Sequence, residues 1–82
     1  MDKGFIIYGR DTCPWCVKAK ELVESYGLPC EYVNIQGGKP RFLAEQMEKR
    51  DWNTIPVIFF KRGTDELFLG GYSDLEELLF ES

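Results

Sequence analysis

The sequence predicts an α/β domain with the element order β-α-β-α-β-β-α, and two observations carry that expectation. A short apolar run, Phe5–Tyr8, and a segment rich in β-formers, Cys30–Ile35, bracket a stretch whose apolar residues recur every three or four positions, the pattern of a βαβ unit. Downstream, two β-forming runs flank a polar connection containing glycine, and leucines at helical spacing follow, which together read as a hairpin and a last helix. A chain of 82 residues has room for one core, so residues 1–82 are expected to form a single domain.

Phe5-Ile6-Ile7-Tyr8 is continuously apolar and ends at a polar break from Gly9 to Thr12, which suits a strand buried on both faces. From Pro14 to Tyr26 the apolar positions Cys16, Ala19, Val23 and Tyr26 share one helical face, with Lys18, Lys20, Glu21 and Glu24 mostly elsewhere, and Gly27 stops the helix. Leu28-Pro29 is a turn, and Cys30–Ile35 is a strand with Glu31 and Asn34 as its only plainly polar members. After Gly37-Gly38, Pro40 fits a first helical position, and Leu43, Ala44 and Met47 mark the face of a second helix that runs to about Arg50. Pro56–Phe60 and Glu66–Leu69 form two antiparallel strands around a connection at Lys61–Asp65. Ser73 precedes Glu76 by three residues, a capping-box pattern, and Leu75, Leu78 and Leu79 face the core from the last helix.

Ten Lys+Arg against 14 Asp+Glu give a net charge of −4, with no basic arm or stripe, which argues against nucleic acid or an anionic membrane surface as a partner. The longest wholly apolar stretch, Ile55–Phe60, is far short of the roughly 20 residues of a spanning helix. Three cysteines with one close pair do not make the framework of a secreted disulfide scaffold, so the expected location is the cytoplasm and the pair is kept for chemistry.

That pair is Cys13-Pro14-Trp15-Cys16. Pro14 tolerates only the first helical turn, which makes Cys13 the N-cap and turns its sulfur toward the free amides of Trp15 and Cys16. Those amides and the positive helix end favour thiolate, and Arg10, Lys18 and Lys20 outnumber Asp11 nearby. At pH 7 a thiol of pKa ~8.5 is about 3% ionised, against about 90% for one near 6. Cys16, three residues on, is within disulfide reach and is expected to be the more buried thiol. The chemistry that follows is attack by Cys13 on a disulfide and resolution by Cys16 or an outside thiol, with no metal, flavin or nucleotide. A Cys-x-x-Cys pair is also half of a zinc site, but with no histidine and only Cys30 left, four Cys/His ligands are not available in one chain. Two inert packing cysteines would leave Pro14 unexplained. Cys30 reads as a small packing residue, and Glu21/Glu24 and Glu76/Glu77/Glu81 as solvated surface.

Ile7-Tyr8-Gly9-Arg10, Thr12-Cys13-Pro14-Trp15-Cys16, Thr54-Ile55-Pro56 and Gly70-Gly71-Tyr72-Ser73-Asp74, in this order and spacing, resemble the glutaredoxins of the thioredoxin superfamily, in particular their short dithiol bacterial and bacteriophage members. The resemblance spans almost the whole chain. It implies a thioredoxin-like fold: a four-stranded mixed sheet flanked by three helices. It also implies a cis Ile55-Pro56 bond beside the active site, where the residues alone would read as an ordinary strand start. Glutathione is implied as co-substrate, with no tightly bound cofactor. Its γ-glutamyl carboxylate would meet the helix N-terminus at Gly71, Tyr72, Ser73 and Asp74, with the Asp74 carboxylate on its ammonium. Its backbone would pair with that of Ile55, left free by Pro56 and flanked by Thr54, and Arg10 would take the glycyl carboxylate. Trp15 stands where the family most often has tyrosine, which keeps an aromatic wall and loses a phenol hydroxyl. Trp52 is a candidate to line the same groove, and Lys49 or Arg50 to assist at the glycyl end. Implied partners of the expected monomer are disulfide-containing or glutathionylated proteins, ribonucleotide reductase among them. The alternatives are a thioredoxin-like electron donor recharged by a flavoprotein reductase, and a binding module such as a glutathione-ligated iron–sulfur dimer.

Overall fold

Alternation along the first apolar run sets the layers of the molecule. In β1 (Lys3–Gly9), Phe5 and Ile7 are buried on one face of the sheet and Ile6 and Tyr8 on the other, because successive strand side chains point to opposite faces. β3 (Val57–Arg62) repeats the pattern, with Ile58 on the first face and Val57 and Phe59 on the second. Each face is then covered by helices that carry a matching apolar stripe. Ala19 and Val23 of α1 (Pro14–Ser25) and Leu75 and Leu79 of α3 (Tyr72–Glu81) close the first face. Leu43 and Met47 of α2 (Arg41–Lys49), with Ile35, close the second. The computed structural model describes residues 3–81.

β2 (Cys30–Asn34) pairs parallel to β1, β3 pairs antiparallel to β1, and β4 (Asp65–Gly70) pairs antiparallel to β3, giving the order β2-β1-β3-β4. The element order is the expected one, and the sheet is four-stranded and mixed with three helices on its two faces. This topology brings the C-terminal ends of β1, β2 and β4 and the N-terminal end of β3 to one edge of the molecule. The loops before α1, before β3 and before α3 meet there.

Several boundaries differ from the sequence reading, each for a local reason. β1 continues through Gly9, since the Gly9 carbonyl still accepts the Ile35 N–H at 2.9 Å. The hairpin connection is only Gly63-Thr64, with Gly63 in the left-handed region at φ 61°. Lys61 and Arg62 belong to β3 and face Glu66 and Asp65 across the ladder, so charges that read as loop are cross-strand partners. β3 starts at Val57, with Pro56 outside it. Pro40 is the N-cap of α2 and not its first residue. α3 starts two residues earlier than the Ser73 cap predicts: the first helical bond runs from the Leu75 N–H to the Gly71 carbonyl at 3.1 Å, and the Asp74 carboxylate accepts the Gly71 N–H at 2.9 Å. The capping frame is therefore Gly71/Asp74, not Ser73/Glu76.

Candidate active site

A turn and a proline set the cysteine pair on the first turn of α1. The Cys13 N–H donates to the Arg10 carbonyl at 3.1 Å, which folds the chain back at the end of β1, and Cys13 is the extended N-cap with Pro14 following. The loop is tied to the neighbouring strand by the Asn34 side-chain amide, which donates to the Asp11 carboxylate at 3.0 Å. The Cys13 sulfur makes no formal capping bond, and the Cys16 N–H, expected to be free, donates to the Cys13 carbonyl at 3.1 Å. Cys13 is partly exposed, whereas Cys16 is fully buried, as its place on the inner face requires.

Gly9 makes this burial possible. A Cβ on Gly9 would lie 2.6 Å from the Cys16 sulfur and 3.0 Å from the Tyr32 hydroxyl, so the sulfur rests directly on the backbone of β1. The Tyr32 hydroxyl is buried and makes no hydrogen bond of ordinary geometry among the described residues. A buried unpaired hydroxyl costs about 1–3 kcal/mol.

The two thiols are driven apart in acidity. Burial disfavours the Cys13 thiolate, but the Cys16 thiol, the nearby amides of Cys16 and Trp15 at the helix start, and the Arg10 guanidinium outweigh it and hold Cys13 below its ordinary value. Burial and the hydrogen bond to Cys13 push Cys16 up to about 11. Burial and the neighbouring Cys16 push Tyr32 up to about 12. Groups raised in this way contribute stability below their unfolded pKa and lose it as pH rises through the folded value; Cys13 has the opposite sign and loses its contribution as pH falls through its lowered value. Denaturant titration of the reduced protein should therefore show stability falling between about pH 9 and 11. A flat profile there would contradict the burial of Cys16.

Against Trp15, between the two cysteines in sequence, runs an open groove of about 630 Å³. One wall is Trp15, 53% exposed, whose ring lies 5.2 Å from that of Tyr72 and beneath the Lys18 ammonium at 4.7 Å. The floor is Thr54, Ile55 and Pro56, with the Ile55-Pro56 bond cis. The start of α3 contributes Gly71, Tyr72, Ser73 and Asp74, all of which line the groove. Trp52 completes it; its indole N–H donates to the Thr54 carbonyl at 3.0 Å, which fixes the floor. Gly71 is placed so that a Cβ would touch the Trp52 ring at 3.4 Å.

The structure thus brings together Trp15 of α1, Thr54, Ile55 and Pro56 before β3, and the Gly71–Asp74 segment at the start of α3; Cys13 and Cys16 flank Trp15 in sequence and do not themselves line the groove. Arg10 does not line the groove; its charge acts on the Cys13 sulfur. Lys49 and Arg50 are not in the groove either, and the Arg50 guanidinium bonds Gln46 and stacks over Phe68 at 4.5 Å. Sequence reasoning missed three residues. Lys18, counted only among the charges near the cysteine pair, and Glu76, read as solvated surface, line the groove, and Tyr32, read only as a β-former, abuts Cys16. For Lys18 the spacing to Trp15, one helical turn, was an available signal.

Residues 5–63 match the family model described as Glutaredoxin. Glutaredoxin 3 of Escherichia coli is 37% identical over 73 residues, covering 88% of this chain and 81% of its own length. A glutaredoxin of Pseudomonas aeruginosa is 33% identical over 73 residues, covering 89% and 81% respectively. Among solved structures, reduced Escherichia coli glutaredoxin superposes with a TM-score of 0.73 at 30% identity over 96% of this chain and 95% of that one. The dithiolic glutaredoxin 2-C-Grx1 of Trypanosoma brucei brucei gives 0.75 at 27% identity, over 96% and 79%. With a paired thiol on a helix N-terminus, the expected topology and these relatives, the chain belongs to the glutaredoxin family, thiol–disulfide oxidoreductases of the thioredoxin fold.

Proposed function

We propose that this chain is a single glutaredoxin domain that uses glutathione to reduce protein disulfides and glutathione mixed disulfides. The observation that carries the proposal is the groove, which runs between Trp15, inside the Cys13–Cys16 pair, the Thr54–Pro56 segment and the first turn of α3 with Asp74. The Cys13 thiolate attacks the substrate disulfide, and the leaving sulfur departs with the electron pair while a mixed disulfide forms on Cys13. Cys16, or a second glutathione, then attacks Cys13 and releases the bound thiol. The pair needs no metal, flavin or nucleotide for this exchange.

Bound glutathione has a natural direction here. Its γ-glutamyl carboxylate meets the amides of Ser73 and Asp74, which have no earlier carbonyl of α3 to bond. One Asp74 oxygen caps Gly71, leaving the other for the ligand ammonium. The Ile55 backbone pairs with the backbone of the cysteinyl unit, Trp15 covers it, and the glycyl carboxylate lies beyond Cys13 toward Arg10. Cytoplasmic, disulfide-bonded or glutathionylated proteins are the acceptors, ribonucleotide reductase among the candidates, and the chain acts as a monomer.

The test is the rate at which the protein removes glutathione from a glutathionylated peptide, with glutathione as the only reductant and its concentration varied. A fast, saturable rate is expected, and Asp74→Asn, which keeps an acceptor for Gly71 but loses the charge, should raise KM for glutathione about tenfold while kcat changes little. An unchanged KM removes Asp74 from the site. No turnover with intact thiols would overturn glutathione dependence in favour of an electron carrier recharged by a flavoprotein reductase.

A further inference from the structure

We infer that Tyr32 is a positioning residue for the resolving step, its hydroxyl donating a hydrogen bond to the Cys16 sulfur as that sulfur becomes a thiolate. The inference rests on the reading of Cys16 as the resolving thiol. Two observations on different elements converge. The hydroxyl is fully enclosed without a partner of ordinary geometry, although a phenylalanine of the same shape would avoid burying an unpaired group there. The space it faces exists only because residue 9 is glycine, and the Cys16 sulfur shares that space at 2.6 Å from the absent Cβ, with the hydroxyl at 3.0 Å.

In the reduced protein the Cys16 proton has somewhere to point, since Cys16 donates toward Cys13. Once Cys13 is bonded to a substrate sulfur, that acceptor charge is gone. The step then required is attack of Cys16 on Cys13: the Cys13–Cys16 bond forms, the Cys13–substrate bond breaks, and the substrate sulfur leaves reduced by the electron pair. The Cys16 proton ends on the departing sulfur. Burial opposes the intermediate charge on Cys16; the Arg10 backbone amide favours the thiolate, and Tyr32 adds a side-chain donor that does the same. The other charged and titratable groups facing Tyr32 are Cys13, Asp11 and Lys20, whose ammonium lies 5.8 Å over the phenol ring. The Tyr32 hydroxyl keeps its proton throughout the neutral range, as a donor must, with its pKa pushed up to about 12.

Stopped-flow reaction with 5,5′-dithiobis(2-nitrobenzoate) in a Cys30→Ser background separates the steps. The first thionitrobenzoate is released by Cys13 in a second-order phase, and the second by Cys16 in a first-order phase. Tyr32→Phe is expected to slow the second phase about tenfold relative to the first and to move its pH midpoint up by about one unit. Two phases unchanged by Tyr32→Phe, or both slowed equally with no shift of the pH midpoint, overturn the inference, the latter marking a packing role alone. Cys16→Ser identifies the other failure: a second phase that survives it refutes Cys16 as the resolving thiol, whereas its loss alongside a normal Tyr32→Phe refutes only the role of Tyr32.

Discussion

Cys13→Ser should abolish thiol–disulfide exchange with every substrate, a loss of about 10³-fold or more in kcat/KM. Cys13 is the only one of the three cysteines that is both partly exposed and held below its ordinary pKa, whereas burial pushes Cys16 and Cys30 up. Serine keeps the N-cap and the packing but supplies an alcohol that stays protonated. Cys16→Ser should behave differently. It leaves Cys13 able to take glutathione from a mixed disulfide and give it to a second glutathione, but it removes the intramolecular attack that completes reduction of a protein disulfide. The informative quantity is therefore the ratio of the two activities in each variant, measured on a glutathionylated peptide and a disulfide-bonded protein. Full activity of Cys16→Ser on the protein disulfide would refute the dithiol mechanism.

Gly9→Ala should also be damaging, although residue 9 has no side chain and contributes no reacting atom. The added methyl would fall 2.6 Å from the sulfur and 2.8 Å from the Cβ of Cys16. Neither neighbour can yield easily, since Cys16 is fixed in the first turn of α1 by the Val17 N–H to Cys13 carbonyl bond, and Gly9 is fixed in β1 by its pairing with Asn34. Overpacking of this kind costs about 1–3 kcal/mol. Displacement of Cys16 also spoils the geometry of the disulfide, so reduction of protein disulfides should fall about tenfold or more while the melting temperature drops. Wild-type stability and activity in Gly9→Ala would show that β1 and α1 are not in the close contact described.

The fold was legible because the alternation in β1 and β3 and the apolar stripes of the three helices agree with one another. Cys13-Pro14 was equally plain: a proline confined to the first helical turn leaves few places for the residue before it. The start of α3 was not plain. Gly71-x-x-Asp74 and Ser73-x-x-Glu76 are two overlapping capping frames, and the choice between them is made by tertiary structure, through Gly70 at φ 133° and Trp52 packed against Gly71. Trp52 itself was only a candidate, since its hydrogen bond to Thr54 depends on where α2 ends. Arg10 was assigned to the glycyl carboxylate by analogy alone; the turn between the Arg10 carbonyl and the Cys13 N–H keeps it in the cysteine loop, outside the residues that line the groove. Tyr32 lies 16 residues from Cys16 in sequence, and no local pattern connects a strand tyrosine with a helix thiol unless the crossing over Gly9 is known.

The parallel pairing of β1 and β2 also decides what the third thiol is able to do. Cys30 is opposite Phe5, whereas Asn34 is opposite Gly9, on which Cys16 rests. Phe5 and Gly9 are four strand residues apart, about 13 Å, well beyond the ~7 Å between Cα atoms that a disulfide spans. In the native state Cys30 is thus insulated from the working pair by a rigid piece of sheet, and the only bridge this chain is able to close on itself is the functional one. A scrambled link from Cys30 to Cys13 or Cys16 is then a molecular scar, left only on chains that have lost the β1–β2 ladder, and its abundance in a preparation records how often they have done so.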